Sequence, residues 1–250
     1  MLPDSDHQLL ETYGLFIDDQ NTLVYQGEAR SWGALGGSLA VYGSDDTPSH
    51  PQFVLYASTN AAMHFNDNWR IWTETLDVHL GGNFEFALSP SLRLLVGLEH
   101  FSGHAVDGIS TPSLMVPNLG NNIFKARIVY DYKNSVRMGA TFRPFIASFP
   151  PIQFFAADQF VEYFPWGGKD STDTFSPYVA VALEEYGVSQ IQPTFEGQIG
   201  AYLGNHFGLG HHPTARVVLG YYNGADPRLK YFQIAQVNSE FAYAGLMFDM

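Results

Sequence analysis

Strand-like stretches of ten or more residues recur along this chain, each closed off by turn residues. They fall at roughly 33–43, 52–64, 70–88, 92–104, 121–132, 136–148, 152–164, 174–186, 192–204, 214–223 and 238–249, with one more within 12–31. Helical periodicity is nearly absent. Successive side chains on a strand face opposite ways, and several of these stretches sort cleanly by that rule. In VRMGATFRPF, Val136, Met138, Ala140 and Phe142 share one face and Arg137, Gly139, Thr141 and Arg143 the other. In FKARIVY, Phe124, Ala126, Ile128 and Tyr130 oppose Lys125, Arg127 and Val129; in ARVVLGYY, Ala215, Val217, Leu219 and Tyr221 oppose Arg216, Val218, Gly220 and Tyr222. Strands of soluble sheets typically run ~5–6 residues. A tilted strand needs ~9–11 residues to cross a bilayer.

A soluble β-sandwich would alternate in the same way, with its apolar side as the core. Three features tip the reading to a membrane barrel, which alternates apolar-out and polar-in. The strands are long. Charged residues make up only 15% of the 250-residue chain, with aromatics also at 15%, against ~25% charged residues in ordinary soluble domains. The connections differ in length: SPS (Ser89 to Ser91) and YKNS (Tyr132 to Ser135) are tight, whereas Ala105 to Asn122 and Asn223 to Asn238 are long. Short periplasmic turns and long external loops are usual in outer-membrane barrels. With both chain ends in the periplasm the strand count must be even, so the eleven visible strands become twelve, or one of them is false. The expectation is an all-β, antiparallel transmembrane β-barrel of about 12 strands at residues 21–250 in a bacterial outer membrane, preceded by an N-terminal periplasmic segment at 1–20.

Other classes are disfavoured. A net charge of −13 with 12 scattered Lys and Arg argues against nucleic acid, whose phosphates call for clustered cations. With no cysteine there is no thiolate site or disulfide. No run of 18 apolar residues marks a membrane helix. The start, MLPDSDHQLLETYG, has neither a basic nor an apolar signal region and reads as the start of a mature chain.

One stretch raises a chemical question. In LRLLVGLEHFSGHAVDG (Leu92 to Gly108), an apolar face formed by Leu92, Leu94, Val96 and Leu98 continues as His100, Ser102 and His104. This resembles the His-x-Ser-Ser-His-x-x-Asp strand end of an uncharacterised bacterial barrel family, domain of unknown function 1207, with Gly103 in place of the second Ser and Asp107 as the Asp. LDVHLGG is similar to that family's Asp-aromatic-x-x-Gly motif at Asp77 and Gly81, with Val78 replacing the aromatic, and LGYYNGADPRLKYFQ to its penultimate strand and loop. The resemblance reaches from about residue 33 to 250 and implies an outer-membrane location without an activity. The last strand, EFAYAGLMFDM, resembles the C-terminal signal read by the barrel-assembly machinery. More narrowly, EHFS (Glu99 to Ser102) is similar to the His-aromatic-Ser motif of the outer-membrane lipid A deacylase, which implies a Ser-His-Glu triad on a lipid-facing surface.

A serine nucleophile needs an adjacent base, and the base an orienting acid. Ser102 and His100 are the candidate nucleophile and base; Glu74, read as outward with Trp72, Leu76 and Val78, is the candidate acid, and Asp107 its substitute. The alternative is a polar rim where the apolar band stops. No metal is expected: His100 and His104 would stand ~13 Å apart along a strand, and His211-His212 lies in a turn. The other candidate site is the lumen, where Asp77, His79, Glu85, Arg93, Glu99, Lys125, Arg127, Arg137, Arg143 and Arg216 point in the expected register. Opposed charges there would close the barrel as a salt-bridged plug; alternatively they line a narrow pore. Small residues in Trp32 to Ala40 and Gly197 to Gly204 leave a homo-oligomer open. The expected role is non-catalytic, structural or lipid-associating, with lipopolysaccharide and phospholipid as partners and no cofactor. A lipid-modifying esterase and a small-solute pore are the alternatives.

Overall fold

The computed structural model describes residues 14–17, 29–42, 51–65, 70–106, 119–133, 135–149, 155–166, 175–187, 191–203, 214–225 and 238–249. They form twelve strands: β1 (Gly14–Ile17), β2 (Ala29–Tyr42), β3 (Gln52–Phe65), β4 (Ile71–Ser89), β5 (Leu92–Ala105), β6 (Leu119–Tyr132), β7 (Val136–Phe149), β8 (Phe155–Tyr163), β9 (Phe175–Gly187), β10 (Ile191–Leu203), β11 (Thr214–Ala225) and β12 (Asn238–Asp249). Each strand pairs antiparallel with its sequence neighbours, and β1 closes the barrel against β12. Closure removes the two free edges that an open sheet would expose to lipid.

β1 is the strand expected within 12–31, and it is only 4 residues long. It pairs Gly14 with Gly245 and Ile17 with Ala29. The barrel therefore begins by residue 14, and the expected boundary at residue 20 falls too late. The even strand count brings β1's first residue and β12's last to one end, together with the tight β4–β5 and β6–β7 turns. The sorting of connections by length is less clean than the sequence suggested. β9 ends and β10 begins at the opposite end with only three residues between them, whereas the strand ends with the longer separations, β8 to β9 and β10 to β11, lie at the end of the tight turns.

Burial is inverted relative to a soluble protein. Arg93, Lys125, Arg127, Glu162 and Arg216 are buried at 5, 5, 4, 0 and 2% exposure, while Leu98, Ile199 and Leu219 stand outward at 58, 57 and 55%. Water would never sort side chains that way; a hydrocarbon surround does. This separates the transmembrane barrel from the sandwich, in which the same alternation would have put the leucines inside. Exposed Tyr130, Tyr132, Tyr163, Trp166 and Phe175 ring the end that carries the tight turns. The Trp166 and Phe175 rings pack at 5.8 Å, and Lys133 Nζ lies 5.0 Å from the Tyr132 ring centre. Such an aromatic belt marks a membrane–water boundary.

Inside, aromatic rings lie across directly paired glycines: Tyr56 over Gly81, Phe160 over Gly139, Tyr178 over Gly200 and Tyr243 over Gly220. At Gly220 an added Cβ would come within 2.1 Å of the Tyr243 ring, and at Gly200 within 2.7 Å of the Tyr178 ring. The missing side chain lets each ring lie against the inner wall. Gly200, one of the small residues read as an association surface, therefore serves the interior.

Candidate functional site

The lumen is built from every second residue of β3 to β12. The expected inward set, Asp77, His79, Glu85, Arg93, Glu99, Lys125, Arg127, Arg137, Arg143 and Arg216, is buried or half-buried throughout. Several of their partners are acids and hydroxyls that the sequence reading did not name. Near the tight-turn end, Asp131 of β6 accepts from two arginines at once, Arg93 Nη2 at 2.9 Å and Arg137 Nε at 2.9 Å. Arg137 Nη1 also lies 3.8 Å from Glu162 Oε2 on β8. One carboxylate thus ties β5, β6 and β7 together, and a second extends the tie to β8. Both contacts to Asp131 are charge-assisted, which makes them about twice as strong as neutral hydrogen bonds.

A second cluster centres on Glu99 of β5. Its Oε2 accepts from Tyr56 Oη at 2.8 Å, and its Oε1 meets His79 Nδ1 at 2.8 Å. Lys125 Nζ stands 3.8 Å from Oε2 and 4.6 Å above the Tyr56 ring centre. The cluster joins β3 to β6 across four consecutive strands. A third joins Arg143 of β7 to Asp158 of β8 at 2.9 Å and Glu184 of β9 at 3.6 Å. Arg127 Nε donates to Thr141 Oγ1 at 2.8 Å, and the Arg216 guanidinium lies 5.3 Å from the Tyr202 ring centre. On the far wall Glu196 accepts from Gln198 Nε2 at 3.0 Å and from the Tyr243 hydroxyl. Apolar groups fill between these clusters. Leu95, Val129, Phe160 and Ala182 form one core, and Phe101, Leu119 and Ile123, with Phe145 against them, another.

The sequence did carry a signal for the missed acids. Asp131 has the parity of Lys125 and Arg127, and Asp158 and Glu162 alternate through ADQFVEY. The partnerships need the register, which the sequence does not display: Asp131 pairs directly with Arg137, and Arg137 with Glu162.

The outward face of β5 has the expected register but different pairings. Leu98, His100, Ser102 and His104 all lie on the outer surface. Ser102 Oγ is 3.2 Å from His104 Nε2, whereas His100 Nδ1 meets Asn122 Oδ1 of β6 at 2.8 Å. The base beside Ser102 is therefore His104, not His100. Glu74 does not join them. A bulge sets both Glu74 and Thr75 against Ala62, which turns Glu74 off the outer face, and it is 3% exposed. The bulge breaks the simple parity that had aligned Glu74 with Leu76 and Val78. The cross-strand neighbours of His100, Ser102 and His104 on β4 are Leu80, Val78 and Leu76, so that side offers no acid. Asp107 lies outside the described residues. Among the described residues the geometry provides a hydroxyl–imidazole pair without the orienting carboxylate of a triad. Beside it Gly120, paired to Ser102, leaves open space where a side chain would stand. Among the described residues no group of His, Asp and Glu has the arrangement to hold a metal ion.

No family model matches this chain, and no curated protein matches it. Among solved structures it is similar to the KdgM porin, with a TM-score of 0.50 at 8% sequence identity, over 94% of this chain and 95% of that one. At that identity the likeness speaks for the fold alone: an antiparallel β-barrel over almost the whole length of both chains.

Proposed function

We propose that this protein is a bacterial outer-membrane barrel with a structural, lipid-associating role and a lumen closed by its own side chains. One observation carries the reading. The charges of β5 to β8 are paired between neighbouring strands along one wall of the bore, Arg93 and Arg137 on Asp131 and Arg137 on Glu162, with side chains at most 12% exposed. Charges that lined an aqueous channel would keep their hydration; these have given it up for one another. The outer surface supports the membrane placement, and the polar patch of His100, Ser102, His104 and Asn122 suits contact with lipopolysaccharide or phospholipid headgroups. The likeness to a porin favours a second reading, a narrow pore for small solutes. Planar-bilayer recording separates the two. The closed barrel gives no stepwise conductance with the parent protein. Regular steps that change size when Asp131 is replaced would establish the pore.

The esterase reading rests on the Ser102–His104 pair and on the resemblance of EHFS to the deacylase motif. It lacks an acid among the described neighbours, and so stands behind both others.

A further inference from the structure

We propose that the outer face of β5 and β6 holds a phosphate group of lipopolysaccharide, in the recess that Gly120 leaves between Ser102 and Asn122. This deepens the lipid-associating role proposed above and rests on it. The recess is built by register. On the outer face His100 stands opposite Asn122 and Ser102 opposite Gly120, with Phe149 of β7 on the far side of Gly120. A Cβ at Gly120 would meet nothing within 4 Å. The floor of the recess is therefore backbone, and the side chains at its edge on β5 and β6 are polar.

Height places this recess among the headgroups. Leu92, paired with Tyr130 of the aromatic belt, marks the membrane boundary at the tight-turn end. Ser102 lies ten residues further along β5. At ~3.3 Å per residue and a ~40° tilt that is roughly 25 Å, the full height of the apolar band. Leu98 and Phe124, the next outward pair below His100 and Asn122, still belong to that band and would face acyl chains. With the tight turns in the periplasm, the opposite boundary is the outer leaflet, whose lipid is lipopolysaccharide.

Hydrogen-bond accounting gives the ligand its chemistry. His100 Nδ1 lies 2.8 Å from Asn122 Oδ1; a carbonyl oxygen only accepts, so the imidazole donates and the amide nitrogen of Asn122 keeps two protons to give. Ser102 and a neutral His104 hold one O–H and one N–H between them. Their 3.2 Å contact uses one of these, whichever way it runs, and leaves the other. Each imidazole becomes a further donor on taking up a proton, which a neighbouring anion favours. A phosphate answers such an array, because it accepts through several oxygens; a sugar hydroxyl brings a donor of its own. Charge agrees. The chain carries −13 overall, which repels an anionic leaflet, yet the described outward positions of β4 to β7 hold no carboxylate. The outward carboxylates of Glu185 on β9 and Glu240 on β12 stand three or more strands from β6.

The test is independent of whether the lumen conducts. The folded barrel in non-ionic detergent is titrated with lipopolysaccharide, with the same lipid stripped of its phosphates, and with phosphatidylglycerol, and bound lipid is counted by native mass spectrometry. The parent is expected to hold lipopolysaccharide about tenfold more tightly than the dephosphorylated lipid, and more tightly than phosphatidylglycerol. Gly120→Leu fills the recess from a position with open space around it, and Asn122→Leu removes two donors. Each should weaken lipopolysaccharide binding about tenfold and keep heat-modifiable migration, the mark of a folded barrel. Equal retention of the phosphorylated and dephosphorylated lipids overturns the phosphate site, as does unchanged binding by both folded variants. Phosphatidylglycerol bound as tightly as lipopolysaccharide, or more so, overturns the assigned source of the phosphate. All three outcomes leave the membrane placement standing. Failure of the parent to insert into lipid at all would overturn that placement itself.

Discussion

Replacing Asp131 with alanine tests the proposed closure of the lumen at its most connected point. Asp131 holds Arg93 and Arg137, each at 2.9 Å, with side-chain exposures of 11, 6 and 12% for the three. A hydrogen bond to a charged group contributes ~1.5–3 kcal/mol, and removing one partner from a buried ion pair costs ~3–5 kcal/mol because a charge is left behind. Two such bonds are lost here. Glu162 remains 3.8 Å from Arg137 and takes up part of the charge, which places the expected loss near the lower bound, about 3 kcal/mol. Arg93 and Arg137 are then two cations with the anion between them removed. Urea unfolding of the barrel from lipid vesicles, followed by tryptophan fluorescence, reads the difference. Asp131→Ala made together with Arg137→Met should cost less than the sum of the two single changes, by ~1–2 kcal/mol, since the two residues share a bond. A loss below ~1 kcal/mol, with strictly additive effects, would mean that these residues are solvated and that the lumen is open at this level.

Two further outcomes follow from the faces of β5. Val96→Arg places a charge on the lipid side near mid-depth, between Phe84 and Ala126, and should lower stability by ~2–4 kcal/mol; a neutral result in the same unfolding assay would put the assigned outer face in error. Purified protein incubated with lipopolysaccharide and with phospholipid should release no fatty acid detectable by mass spectrometry. Release that is abolished by both Ser102→Ala and His104→Ala would move the protein to the esterase class.

How far the sequence could be read depended on whether parity survived. Along β5 and β6 it runs unbroken, and every residue from Leu92 to His104 falls on the face that counting assigns. At Glu74 it fails, because the β4 bulge sets two residues against one and nothing in the letters WTETLD announces it. β1 escaped delimitation for a different reason. Four residues, GLFI, are too few to show a period, and it is closure against β12 that holds them in place. The choice between His100 and His104 as the partner of Ser102 was undecidable by spacing, since both lie two residues away. It is settled by the neighbour: Asn122 stands opposite His100 and takes its imidazole, while Gly120 opposite Ser102 offers no side chain and leaves that hydroxyl to His104.

Depth decides what polarity costs on the outer face. His100, Ser102 and Asn122 sit toward the end of the barrel away from the tight turns, where the β5–β6 ladder finishes at Gly103 and Leu119. At that height headgroups and water can satisfy whatever the side chains leave over, and the cost of polarity is small. These residues also satisfy one another, His100 with Asn122 and His104 with Ser102. A polar patch at the rim is therefore compatible with a lone barrel in lipid, and its presence argues little for any chemistry.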